Sequence, residues 1–102
     1  MIARMWQART TGPQRVAEYH QVFEAEVLES LRGVGGFRGA YLFARPAHEL
    51  MEIRTVTLFA SLEAVKGFAG PGYEHERVTP AARATLFDSD PSPRHFDVLT
   101  AL

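Results

Sequence analysis

Apolar side chains along this chain switch period several times, and each switch marks an element. Residues 2 to 9 read as a strand, with Ile2, Met5 and Trp6 spread over both parities. Thr10-Thr11-Gly12-Pro13 interrupts it, and Pro13 suits the first turn of a helix. From there to about Arg32, Val16, Tyr19, His20, Phe23, Val27 and Leu31 recur at spacings of three and four, with Glu18, Glu24, Glu26 and Glu29 mostly opposite. That spacing predicts an amphipathic helix, closed by Gly33 and Gly35-Gly36.

Phe37 to Arg45 reads as a second strand, Pro46-Ala47-His48 as a short connection, and Glu49 to Ala60 as a third strand. Two strands so tightly linked should pair as an antiparallel hairpin. Ser61 is a good cap for a helix from Leu62 to Ala69 that stops at Gly70. Glu74 to Val78 has no clear pattern. Thr79-Pro80 opens a short helical turn through Leu86, residues 88–93 form a loop, and Arg94 to Thr100 reads as a last strand. The order β-α-β-β-α-β predicts an α+β, ferredoxin-like domain over residues 1–102: a four-stranded antiparallel sheet with both helices on one face.

A monomer of that plan would make the uncovered sheet face polar by alternation. Here Phe37, Tyr41 and Phe43 share one parity while Ala40, Leu42 and Ala44 share the other. Val56 and Leu58 likewise oppose Met51, Ile53 and Phe59. Both faces are apolar, and only one pair of helices exists to cover them. The expected cover for the second face is another copy of the sheet, making a homodimer.

Composition then narrows the chemistry. The 102 residues carry a formal charge of -1, so the basic excess of a dedicated nucleic-acid binder is missing. With no cysteine there is no disulfide, thiolate nucleophile or Cys-ligated metal. No apolar run approaches the ~20 residues of a membrane span. The opening Met1 to Trp6 lacks the layout of a secretory leader, so a cytoplasmic protein is expected. Ten of the eleven basic residues are Arg, which grips carboxylates and aromatic faces better than Lys; a GC-rich genome gives the same bias. No catalytic triad, phosphate loop or metal motif is visible, and no metal ligand set is assigned.

Four stretches carry a resemblance: Ile2-Ala3-Arg4-Met5-Trp6, Gly36-Phe37-Arg38-Gly39-Ala40, the run Ser61 to Gly70, and His95-Phe96-Asp97-Val98. Through them the chain resembles the antibiotic biosynthesis monooxygenase family of the dimeric α/β-barrel group, over nearly its whole length. The resemblance implies a small homodimer with a cleft between helices and sheet. It also implies oxidation of a small aromatic or quinol-like compound by oxygen without a cofactor. Haem binding or degradation, and a non-catalytic ligand-binding dimer, are the alternatives within the same resemblance.

Against that background seven residues stand out as site candidates. His20, on the apolar stripe beside Tyr19 and Phe23, is the candidate base for a phenol in the cleft. It also reads as a stripe-edge histidine bonded to backbone or water. Arg4 and Trp6 share a parity on the first strand, as do Glu52 and Arg54 on the third. On one face these four would make either an anion site with an aromatic platform or an ion pair at the dimer interface. Trp6 is expected in the cleft, with Arg54 holding the anion and Phe23 and Tyr41 completing the substrate set. His75 lies roughly where haem-degrading relatives carry their iron ligand, and otherwise reads as a solvated loop residue. Phe59, Phe68 and the lack of any Asn depart from the haem-degrading pattern.

Overall fold

A central strand organises the computed structural model, which describes residues 1–102. Strand β1 (Ile2–Thr10) pairs antiparallel with β3 (Leu50–Phe59) along its whole length, Ile2 opposite Phe59 and Thr10 opposite Met51. Strand β2 (Phe37–Ala47) lies outside β3 and forms one edge of the sheet. On the other side of β1, two short strands share one position. These are β4 (Asp88–Ser89), opposite Arg9 and Ala8, and β5 (Arg94–Asp97), opposite Met5 to Ile2. The expected ferredoxin-like plan is therefore present, with its fourth strand split. Pro91 and Pro93 lie in the gap, and neither has an N–H to donate to a ladder.

Boundaries shift in two further places. The hairpin turn is His48-Glu49 alone, because Ala47 already pairs with Leu50, and β2 runs through Pro46. An edge strand tolerates proline, since one side of its backbone needs no partner. The short turn predicted to reach Leu86 is regular only over Pro80–Arg83 (α3), capped by Thr79 Oγ1 accepting from the Ala82 N–H at 3.3 Å.

Helix α1 is α-helical over Pro13–Val22, π-helical over Phe23–Val27, and α-helical again over Leu28–Arg32. In the π turn the Leu28 N–H reaches back to the Phe23 carbonyl, five residues away. Helix α2 (Leu62–Ala69) matches its predicted bounds, with Ser61 Oγ accepting from the Ala64 N–H at 3.2 Å and Gly70 ending it at φ 78°. Both helices cover one face of the sheet. Beneath them lie two apolar clusters, Tyr19, Phe23, Ile53 and Ala82 in one and Leu31, Phe59, Ala64 and Val65 in the other. Gly36 joins the second cluster to the start of β2. Its φ is +90°, and a Cβ there would stand 2.9 Å from the Ala64 Cβ.

The uncovered face is apolar, as the broken alternation requires, but its membership differs. A bulge between Phe37 and Gly39 reverses the parity of β2 after its first residue. Phe37 therefore packs edge-on against Phe59 in the core, with centroids 6.3 Å apart. Tyr41 and Phe43 stay outside, with 56% and 51% of their surface exposed. Met5 and Phe96 share this outer face and are also exposed.

Candidate functional site

Between α1 and the sheet is a small cavity of about 40 Å³. Strand β1 contributes Arg4 and Trp6 to it, and β3 contributes Thr57 and Thr55, directly opposite them. The π turn of α1 supplies both Phe23 and Val27, with Tyr19 one turn earlier. Phe68 from α2 and Arg77 from the following loop complete the wall.

The aromatic groups form a continuous surface. Trp6 stacks on Tyr19 with centroids 6.1 Å apart and planes 29° apart, and Tyr19 leans on Phe23 at 6.3 Å. The indole N–H of Trp6 is the only buried side-chain polar atom in the protein without a hydrogen-bond partner. Burial also pushes the Tyr19 phenol well above the ordinary tyrosine range, so it stays neutral.

The cations are the unusual part. Arg4 is 5% exposed, yet no carboxylate touches it. Its Nη1 donates to the Tyr73 carbonyl at 2.5 Å and contacts His95 Nε2 at 3.0 Å, and its Nη2 donates to the His75 carbonyl at 3.1 Å. A guanidinium has five N–H donors, so this set does not exhaust it. Burial, and then the charge of Arg77, lowers its pKa to about 10, which still leaves it charged at neutral pH. His95 must offer Arg4 a lone pair, and burial followed by the Arg4 charge holds its pKa below the usual histidine value. Arg77 lies 4.7 Å above the Phe68 ring and donates to Ser30 Oγ at 3.1 Å. It too meets no carboxylate. Charges removed from water are ordinarily paired; here buried Arg4 has no counterion, and exposed Arg77 lines the same cavity without one.

The candidates named from sequence divide between the two faces. Arg4, Trp6 and Phe23 meet in this cavity. Glu52 and Arg54 do not join them. Arg54 stands opposite Gln7, so both residues lie on the outer face, where Glu52 accepts from Arg54 and, at 3.1 Å, from Arg45. The predicted four-residue patch therefore does not form, because Arg4 and Trp6 have the opposite parity. Tyr41 is on the outer face as well, stacked on Phe43 with centroids 6.0 Å apart. His20 is exposed on the solvent side of α1, bonded to Glu24 Oε1 at 3.0 Å, away from the cavity. His75 is exposed too, and its carbonyl, not its ring, meets Arg4.

Six lining residues were not singled out as site candidates from sequence: Tyr19, Val27, Thr55, Thr57, Phe68 and Arg77. The two threonines had a readable signal, since they share the parity of buried Ile53 and Phe59 in an otherwise apolar strand. Arg77 had none, because it sits in the patternless stretch after α2.

No histidine lines the cavity to serve haem as an axial ligand. No three His, Asp or Glu side chains converge anywhere to hold a metal ion. No helix is long and apolar enough to cross a membrane.

Solved structures share this architecture end to end. SnoaB, a cofactor-independent oxygenase from Streptomyces nogalater, superposes with a TM-score of 0.62 at 19% identity, covering 99% of this chain and 96% of its own. The fold is theirs. MhuD, a haem degrader from Mycobacterium tuberculosis, matches with a TM-score of 0.62 at 20% identity, over 100% of this chain and 99% of its own. The ActVA-Orf6 monooxygenase of Streptomyces coelicolor, solved with nanaomycin D, gives 0.60 at 15% identity, over 98% and 92%. All three are antibiotic biosynthesis monooxygenase proteins, so the ferredoxin-like architecture implied by the sequence resemblance is the one observed. No protein-family model matches the sequence, and no curated protein matches it either.

Proposed function

We propose that this chain is a cofactor-independent oxygenase of a small phenolic or quinol-like compound, working in the cleft between helices and sheet. The observation that carries this reading is the pairing of a flat aromatic wall, Trp6 and Tyr19, with two guanidinium groups lacking any counterion. Cofactor-free oxygenation needs an electron-rich substrate anion held where water is excluded. Arg4 and Arg77 would stabilise a phenolate or enolate electrostatically, and the aromatic wall would hold its ring. With no basic side chain in the cavity, the substrate's own pKa is lowered by the two cations, and its proton leaves through the mouth beside Arg77. For an anthrone-type carbon, CH₂ plus O₂ gives C=O plus H₂O; the substrate supplies both hydrogens, and no external reductant is required.

The two-sided apolar sheet supports a homodimer through its outer face, which leaves the cleft of each copy open. The enzyme reading is tested by oxygen uptake with a panel of dihydroxynaphthalenes and anthrones. Turnover is expected, and Arg77→Gln should lower kcat/KM by roughly 10- to 100-fold, the worth of one charge-assisted hydrogen bond. No uptake with any member of the panel would overturn the oxygenase reading.

A further inference from the structure

The cavity is smaller than any aromatic ring requires. An engineered pocket of roughly 150 Å³ accommodates benzene, against about 40 Å³ here. Something at its wall must move to admit a ligand, and the surroundings show which side is free. Trp6, Tyr19 and Phe23 are packed into the core with Ile53 and Ala82. Arg4 is fixed by two loop carbonyls. Arg77, in contrast, is exposed and held only by its stacking on Phe68 and one hydrogen bond to Ser30. The part of the wall that is free to move is therefore a side chain that is itself a cation. Moving it costs a hydrogen bond and a stacking contact, which a charge-assisted bond to an incoming anion replaces.

From this, and resting on the cleft being the substrate site, we infer that the ligand is a planar aromatic carboxylate. Its carboxylate lies between Arg4 and Arg77, and its ring lies against the Trp6 indole. A carboxylate accepts hydrogen bonds from two guanidinium groups at once through its two oxygens. It also removes the repulsion between two unpaired cations. A flat ring beside that carboxylate meets the aromatic wall of Trp6 and Tyr19. A neutral ring offers Arg77 nothing in exchange for Ser30. Arg77 is thereby both the gate and the specificity-determining residue.

Trp6 is the only tryptophan, so one indole N–H resonance reports the cavity without assignment of the rest of the spectrum. Titration with 2-naphthoate, followed by ¹H–¹⁵N correlation spectra, should move that resonance to saturation. Neutral 2-naphthamide should bind at least tenfold more weakly. Arg77→Gln, at an exposed position that leaves the fold intact, should weaken naphthoate at least tenfold and leave naphthamide unchanged. Ser30→Ala releases the gate and should tighten naphthoate by roughly two- to tenfold, the net worth of one hydrogen bond. Equal binding of acid and amide, or no effect of Arg77→Gln, would overturn the inference. An equal response to inorganic phosphate would reduce the site to a general anion site and overturn the aromatic part. These arms contain no turnover. Naphthoate binding without oxygen uptake on any substrate keeps this inference and removes the oxygenase reading; uptake on neutral quinols with no naphthoate binding does the reverse.

Discussion

The two faces of one sheet treat their charges in opposite ways. On the outer face the half-buried Glu52 sits between two solvated guanidinium groups, Arg45 and Arg54, and Arg9 pairs with Asp88 in water, where pairing gains little. On the inner face Arg4 is buried, where a counterion would be worth most, and has none; Arg77, exposed at the wall of the same cavity, has none either. Apolar groups invert the pattern. The inner aromatics stack on each other beneath the helices, whereas Met5, Phe43 and Phe96 on the outer face leave about half of their surface to solvent. The inner face is electrostatically incomplete and the outer face is hydrophobically incomplete. Under the readings proposed above, each deficit points to its own partner, a small anion for one and a second copy for the other.

The sharpest way to break this comparison is to remove one charge from each face. Arg4→Ala should destabilise the fold by about 3 kcal/mol, because it strands the Tyr73 and His75 carbonyls and leaves a cavity. Glu52→Gln should lower stability by less than about 1 kcal/mol, since its partners remain in water. Denaturant midpoints measure both. Similar losses would mean that burial of Arg4 carries no special energetic weight.

The outer face has its own test. Phe43→Lys puts a charge into the exposed apolar patch, and a two-fold dimer through that face buries two such charges. Sedimentation of the natural chain at micromolar concentration should give twice the 11.4 kDa chain mass. The variant should dissociate at least a hundredfold more readily, an effect of about 2.7 kcal/mol, while keeping its circular dichroism spectrum. A natural chain that sediments as a monomer would remove the dimer altogether.

How far the sequence foretold this contrast depends on what each inference required. Element order, Pro13 as a helix start, Ser61 and Gly70 as the bounds of α2, and the two-sided apolar sheet all follow from local period and capping. The face on which a strand residue lies follows from parity only while the register is unbroken. The bulge at Phe37/Gly39 breaks it in β2, so Phe37 went to the core and Tyr41 and Phe43 outward. Arg54 was assigned to the face of Trp6 because parity within a strand says nothing about its phase against the next strand. The antiparallel register sets that phase, and it puts Arg54 beside Gln7. His20 failed for another reason. A helical stripe is wide enough for its margin to reach solvent, and Glu24 one turn on offers a partner there. Arg77 and the carbonyls that hold Arg4 come from a loop without period, and no pattern argument reaches them.

Trp6→Phe sharpens the comparison at intermediate size. It deletes the one unpaired buried N–H while keeping most of the ring area against Tyr19. An unsatisfied buried donor costs about 1–3 kcal/mol, and the lost ring area offsets part of it. Stability should therefore stay within about 1 kcal/mol of the natural chain, unlike the larger loss typical of a truncated core tryptophan. A drop of 3 kcal/mol or more would show that the N–H has a partner in solution, most simply an ordered water.

The smallest effect is a pH dependence that belongs to the inner face alone. Burial, and next the Arg4 charge, lower the folded pKa of His95, with Glu74 pulling weakly the other way. Above the ordinary histidine value of about 6.5 both folded and unfolded chains hold this ring neutral, and it adds no slope. As pH falls through 6.5 the unfolded chain takes up a proton that the folded one resists, so stability declines until the folded group also titrates. The carboxylates with lowered pKa, Glu52 and Asp88, act in a different window, losing their contribution only as pH falls through the range near 4 and below. Denaturation midpoints between pH 7 and pH 5 therefore report on His95, and His95→Gln should flatten the profile there. A profile that His95→Gln leaves as steep as before would mean that the folded chain does not resist that proton and that Arg4 is not held by a neutral imidazole.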